Sequence, residues 1–130
     1  METNSLVVAL NRAVRLRKNN DFQRVRQQGR SIMSPLLSLA WMPNDVEKTR
    51  VGFVVSKRTA KRAVDRNYLK RLLSEAMRVF LPRLPIGLDI VVSARQKACS
   101  AHLSTLEQDL LMLLRKAQLL EARPEVDTHY

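Results

Sequence analysis

At 130 residues the chain has room for one domain and one core, not two. Its 23 Lys and Arg against 12 Asp and Glu leave a net charge of +11, a balance that implies a polyanion as partner and self-repulsion in the free protein. A single cysteine, Cys99, rules out an internal disulfide and suits a reducing compartment, and no apolar run approaches the roughly 18 residues of a membrane span, so a cytoplasmic protein without membrane contact is expected.

Residues 1–14 carry no firm pattern and form an N-terminal segment, either a turn of helix around Leu6–Leu10 or a frayed end. The opening ten residues lack a basic n-region, so no secretory signal is expected. Arg15, Arg17 and Lys18 then make a basic arm. Asn20 or Asp21 can cap a short helix over 22–28 that Gly29 stops, with Phe22 and Val25 on one face. The stretch 31–42 has the alternation of a strand, irregular or at an edge around Pro35, which has no N–H to give. Leu37, Leu39 and Trp41 are expected to pack a core, leaving Ser38 and Ala40 on a small, polar face that would admit an extended ligand. A turn cluster at 43–48 leads to a second strand, 49–56, expected to pair back on the first as a hairpin.

The period then changes from two to that of a helix. Leu69, Leu72, Leu73, Ala76, Met77 and Phe80 fall on one helical face, predicting a helix over 59–81 that Pro82 ends. Between positions 57 and 71 lie seven cations and one acid, Asp65. A helix N-terminus already favours anions through its unpaired N–H groups and dipole, and Lys and Arg in its first turns strengthen the site. Asn67, Arg71, Ser74 and Arg78 form the face opposite the apolar stripe, with Arg66 and Lys70 on its flank. Guanidinium forks match phosphate oxygens bidentately, so RNA fits best. A solvated basic face is the bland reading; the charge is one-sided and not balanced by acids at i,i+4, which weakens it.

Residues 88–95 read as a buried strand, apolar over 88–92 except for Asp89. Strand, helix and strand make a βαβ unit with parallel strands, for which a right-handed crossover is the physical default. Ser100 is expected to cap a last helix with Leu103, Leu106, Leu110, Leu113, Leu114 and Ala117 as its buried stripe. Leu111, Met112, Leu119 and Leu120 are a surplus, covered by residues 1–14 or forming a contact surface. Residues 122–130 look like a tail, leaving 15–121 as the domain. There is no Gly-rich phosphate loop and no CxxC, HExxH or GxSxG, and the acids make no convincing pair for a two-metal nuclease. No catalytic residue, metal ligand, dinucleotide or small-molecule cofactor is therefore assigned to the chain.

The run K-R-x-A-K-R-A-V-x-R-N-x-x-K-R at 57–71, entered from Val55 and Ser56, resembles the signature of the bacterial ribonuclease P protein subunit. The R-L-x-x-x-x-D-F-x-x-V run at 15–25 and D-x-V-V-x-A-R at 89–95 are similar to that family's opening and last strand, so the likeness covers roughly 15–118. It implies a ribosomal-protein-like α+β fold in α-β-β-α-β-α order, with a mixed sheet and a left-handed crossover. It further implies a subunit of a ribonucleoprotein endonuclease, a hydrolase in which the catalytic RNA, with Mg2+ held by RNA and substrate, removes the 5′ leader of precursor tRNA. On that reading Lys57, Arg58, Lys61, Arg62, Arg66, Asn67, Lys70 and Arg71 dock on the catalytic RNA. Phe22, Arg26, Ser38, Ala40 and Arg95 hold the leader. Where the family has Arg, this chain has Tyr68, which stacks on RNA or fills a gap; a later basic position is Ser74, and a second aromatic near Phe22 is Arg26. The alternative is a non-catalytic, ribosome-associated RNA-binding protein with a similar core.

Overall fold

Near-continuous apolar character marks the centre of a sheet, and here it belongs to the last strand. The computed structural model describes residues 15–121; the segments 1–14 and 122–130 lie outside the described residues. The order is helix α1 (Asn19–Gln28), strands β1 (Arg30–Met33), β2 (Leu37–Pro43) and β3 (Arg50–Val54), helix α2 (Ala63–Arg78), strand β4 (Leu88–Ala94) and helix α3 (Leu103–Lys116). Short 3-10 turns occupy Leu81–Arg83 and Gln96–Ser100. This is the expected α+β domain with a mixed sheet. No helix among the described residues is long and apolar enough to cross a membrane.

The sheet order is β1-β2-β4-β3. β3 and β4, on either side of α2 in the chain, are parallel neighbours as the βαβ reading expects, in a register that sets Val51 opposite Ile90. The expected hairpin of β2 with β3 does not form: β4 lies between them, antiparallel to β2 from Leu37↔Ala94 to Pro43↔Leu88. Five of the seven β4 residues are buried, and such a strand belongs at the centre, covered on both faces. The stretch expected as one strand over 31–42 is instead split into a hairpin of β1 and β2, paired from Arg30↔Trp41 to Met33↔Ser38. Ser34 makes this turn. Its Oγ accepts the N–H groups of Leu36 and Leu37 at 3.1 and 3.0 Å and bonds Asp109 of α3.

Alternation sends Leu37, Leu39, Trp41, Val51, Ile90 and Val92 to one face, where α2 and α3 cover them with Leu69, Leu73, Met77, Leu106, Leu110, Leu113 and Leu114. The other face carries a smaller cluster of Leu16, Val25, Ala40 and Val91 under α1. Helix α2 is shorter than the predicted 59–81. The Ser56 carbonyl takes the N–H groups of Thr59 and Ala60 at 3.0 and 3.1 Å, and Thr59 Oγ1 donates to the Ala94 carbonyl, so this stretch is a pinned turn and the helix starts at Ala63. Helix α3 begins after His102, not Ser100, which belongs to a 3-10 turn. Gln118 takes a left-handed conformation (φ 64°), turning Leu119 and Leu120 into the core, so neither is surplus.

Asp89 fixes α1 to the sheet. It is wholly buried, and its carboxylate accepts hydrogen bonds from Arg24 of α1 (2.8 Å), Arg50 of β3 (2.9 and 2.8 Å) and Asn44 of the β2–β3 connection (2.8 Å). Asp21 stands 3.5 Å from Arg24 and 3.8 Å from Arg50. Burial pushes the Asp89 pKa up, but the hydrogen bonds from Arg50 and Asn44 and the charges of Arg50 and Arg24 outweigh it, and the net shift is downward. A carboxylate whose pKa falls on folding stabilises the fold above its unfolded pKa, near 4, and loses that contribution as pH drops through the folded value. Asp89→Asn should cost about 3 kcal/mol, at the low end for a broken buried pair because both guanidinium groups keep some water. Urea melts should show this loss at pH 7 and show it shrinking as pH is lowered below about 4.

Candidate nucleic-acid interface

Four buried residues, Leu69, Leu73, Ala76 and Met77, glue α2 to the sheet and leave Asn67, Lys70 and Arg71 exposed. Beside them runs β3, at the edge of the four-stranded sheet. The chain just before α1 adds to that edge: Arg15 bridges Val51 in parallel, and the Leu16 N–H donates to the Val51 carbonyl at 2.9 Å. From the first turn of α1, Phe22 lays its ring over Gly52. A Cβ on Gly52 would stand 2.5 Å from Phe22 Cε1 and 3.1 Å from Leu16 Cβ, so only glycine allows this approach.

A cleft of about 570 Å3 opens between these parts. One wall holds Phe22, Gly52 and Phe53 with Arg15 and Arg17; the other is the α2 face of Asn67, Lys70, Arg71 and Ser74. Aromatic surface on one side and fixed cations and amides on the other suit a strand with flat bases and charged phosphates. Phe22 and the residues Asn67, Lys70 and Arg71, assigned by sequence to separate surfaces, line the same cleft.

The remaining basic residues divide by role. Lys57, Arg58, Lys61 and Arg62 are exposed, but they lie in the turn before the helix and not in its first turns. Arg62 is held by Asp65 through two hydrogen bonds, 3.0 and 3.3 Å, and this hydrogen bonding raises its pKa. Arg66 is half-buried, and its Nη1 donates to the carbonyls of Ala60 (3.0 Å) and Lys61 (2.7 Å). It braces the turn that presents the other cations.

Of the residues expected to hold the leader, Phe22 lines the cleft and Arg26 is exposed one turn further along α1. Ser38 is half-buried opposite Ser93, on the face that α1 covers in part. Ala40 is a correction: at 7% exposure it packs with Val25 and Val91 beneath α1 and offers an extended ligand almost no surface. Arg95 does not line this cleft; it ties the end of β4 to the β1–β2 turn through the Ser34 carbonyl (2.8 Å). Gly52 and Phe53 were not among the sequence candidates. A lone glycine in an otherwise apolar strand was the available signal for a close approach.

The fold and this face define a small α+β domain with a basic cleft suited to a structured polyanion. The model of the family described as Ribonuclease P matches residues 10–118. The ribonuclease P protein component of Chloroflexus aurantiacus is 44% identical over 114 residues, 87% of this chain and 84% of that one. That of Caldanaerobacter subterraneus is 36% identical, across 84% of this chain and 93% of its own. The Staphylococcus aureus RNase P protein structure superposes with a TM-score of 0.74 at 30% identity, covering 85% of this chain and 100% of that one. For the Thermotoga maritima protein the TM-score is 0.70, at 30% identity over 83% and 98%. The chain belongs to the ribonuclease P protein family, whose members take part in an endoribonuclease complex with an RNA partner.

Two substitutions test this geometry without any ligand. Gly52→Ala should displace the Phe22 ring and cost about 1–3 kcal/mol through overpacking, seen as shifted Phe22 ring resonances and a lower denaturation midpoint. Arg66→Ala should speed amide exchange across residues 57–62 while Leu73 and Met77 keep their protection; slow exchange in the turn would show that Arg66 is not its brace.

Proposed function

We propose that this chain is the protein subunit of a ribonuclease P that acts in the cytoplasm, and that it binds both the catalytic RNA and the 5′ leader of precursor tRNA. The observation that carries the reading is the shared cleft, with Phe22 on one wall and Asn67, Lys70 and Arg71 on the other. On this reading the braced turn and the outer face of α2 neutralise crowded phosphates of the catalytic RNA, and Phe22 stacks on an unpaired leader base. The cleft then places the leader against the catalytic RNA and so fixes the bond to be cut.

The reaction is hydrolysis of the phosphodiester between leader and tRNA. Water adds to phosphorus, the tRNA keeps a 5′ phosphate and the leader departs with a 3′ hydroxyl. Mg2+ held by the RNA and substrate would supply activation of that water and charge neutralisation at the leaving oxygen. Among the described residues no three His, Cys, Asp or Glu side chains gather into a set that could hold a metal ion. The protein's part is positioning and electrostatics, through the cations named above.

A 5′-labelled precursor tRNA, incubated at low Mg2+ with a bacterial ribonuclease P RNA, should be cleaved only when this protein is added. Binding without stimulated cleavage would return the chain to the ribosome-associated alternative. If about six phosphates are neutralised, log K against log salt should fall with a slope of roughly −4 to −5, and a flat dependence would contradict phosphate docking. Phe22→Ala should weaken the complex for leader-bearing substrate by about 1–3 kcal/mol and leave affinity for mature tRNA unchanged.

A further inference from the structure

The outer face of α2 carries a feature that phosphate docking does not use. Tyr68 is 56% exposed and is the one aromatic among the described residues that stands mainly in solvent; Phe80 and Trp41 are buried, and Phe22 and Phe53 are half-buried. The Arg71 guanidinium lies over its ring, 6.0 Å from the centroid. Val64, one turn earlier on the same stripe, is 64% exposed. The buried stripe of Leu69, Leu73 and Ala76 is turned away from this group, so Tyr68 fills no gap in the core.

An aromatic ring left in water loses the burial that would ordinarily stabilise it. Here it lies beside the cations that would hold a polyanion, on the far side of Arg71 from the cleft. A phenol ring paired with a guanidinium gives a flat, cationic surface whose chemistry matches a nucleobase next to its phosphate. We propose that Tyr68 and Arg71 form a stacking platform for one unpaired base of the RNA that docks on α2, with Val64 extending the apolar contact. Arg71 then serves both surfaces: its charge faces the cleft and its plane orders the ring. The inference rests on the docking reading above and names one kind of contact within it.

Stacking and phosphate contact have different salt signatures. A base stacked on a ring releases no counterion, whereas a lost phosphate contact lowers the salt slope by about 0.7 to 0.9. The full chain and its Tyr68→Ala and Tyr68→Phe variants should be titrated with the ribonuclease P RNA of Chloroflexus aurantiacus over a range of salt. Tyr68→Ala should bind about five- to 150-fold more weakly with the slope unchanged, and Tyr68→Phe should match the wild type. Wild-type affinity in Tyr68→Ala, an equal loss in both variants, or a flattened slope in Tyr68→Ala would each overturn the platform. A flat slope for the wild-type chain would instead remove the docking reading itself, so the two failures are separable. Because the side chain is mostly in water, thermal melts of both variants should coincide with wild type.

Discussion

A carboxylate without solvent contact, on the central strand of the sheet, decides where the first helix lies. Asp89 takes hydrogen bonds from α1, from β3 and from the β2–β3 connection, joining three parts of the chain at one point. The ring of Phe22 reaches Gly52 because α1 is held in that place. In a chain of net charge +11 the few acids act as internal counterions. Asp21 and Asp89 share two arginines, Asp65 holds Arg62, and Glu75 holds Arg78 at 3.0 Å. Asp109 ties α3 to the β1–β2 turn through Ser34. Charges that would otherwise repel are paired within the fold, and those of Lys57, Arg58, Lys61, Lys70 and Arg71 stay exposed on the outside.

The turn that carries Lys57, Arg58 and Lys61 is held in place. The Ser56–Thr59 turn is pinned to the end of β4, and Arg66 closes it from the helix side. One basic residue is therefore spent on backbone carbonyls, and the others start from a defined arrangement. Fixing a loop before binding removes the ordering cost that its backbone would otherwise meet on contact with a partner. A braced turn beneath long Lys and Arg side chains suits the phosphate docking proposed for this face.

Much of this was legible in the residues. The α2 stripe and the inward set Leu37, Leu39 and Trp41 follow from local period, and the parallel β3–β4 pair from the strand–helix–strand order. What failed depended on contacts far apart in sequence. A β2–β3 hairpin is the short-loop solution, and only the two-faced burial of 88–94 shows that β4 must come between them. Ala40 looked open because nothing local tells that Val25 will cover it. The bonds of Arg66 to the Ala60 and Lys61 carbonyls could not be read locally, because they depend on where the helix starts, and that is set by Ser56 and Thr59 reaching β4. Asp89 was visible as the exception in an apolar run, but its partners come from residues 24, 44 and 50.

The position of β4 also bears on the order in which the molecule can be made. During synthesis β2 and β3 emerge first, yet they are not paired with each other in the finished sheet. β3 finds its strand neighbour only in residues 88–94, beyond the whole of α2; β2, already paired with β1, waits there for its second, and so do the partners of Asp89. Until then Phe22 has no fixed neighbour across the edge, and the basic turn has no β4 carbonyl to pin it. Sheet completion is thus a late event that closes long loops, the kind of topology that slows folding. The nascent chain carries its full cationic stretch before it has the sheet that organises it.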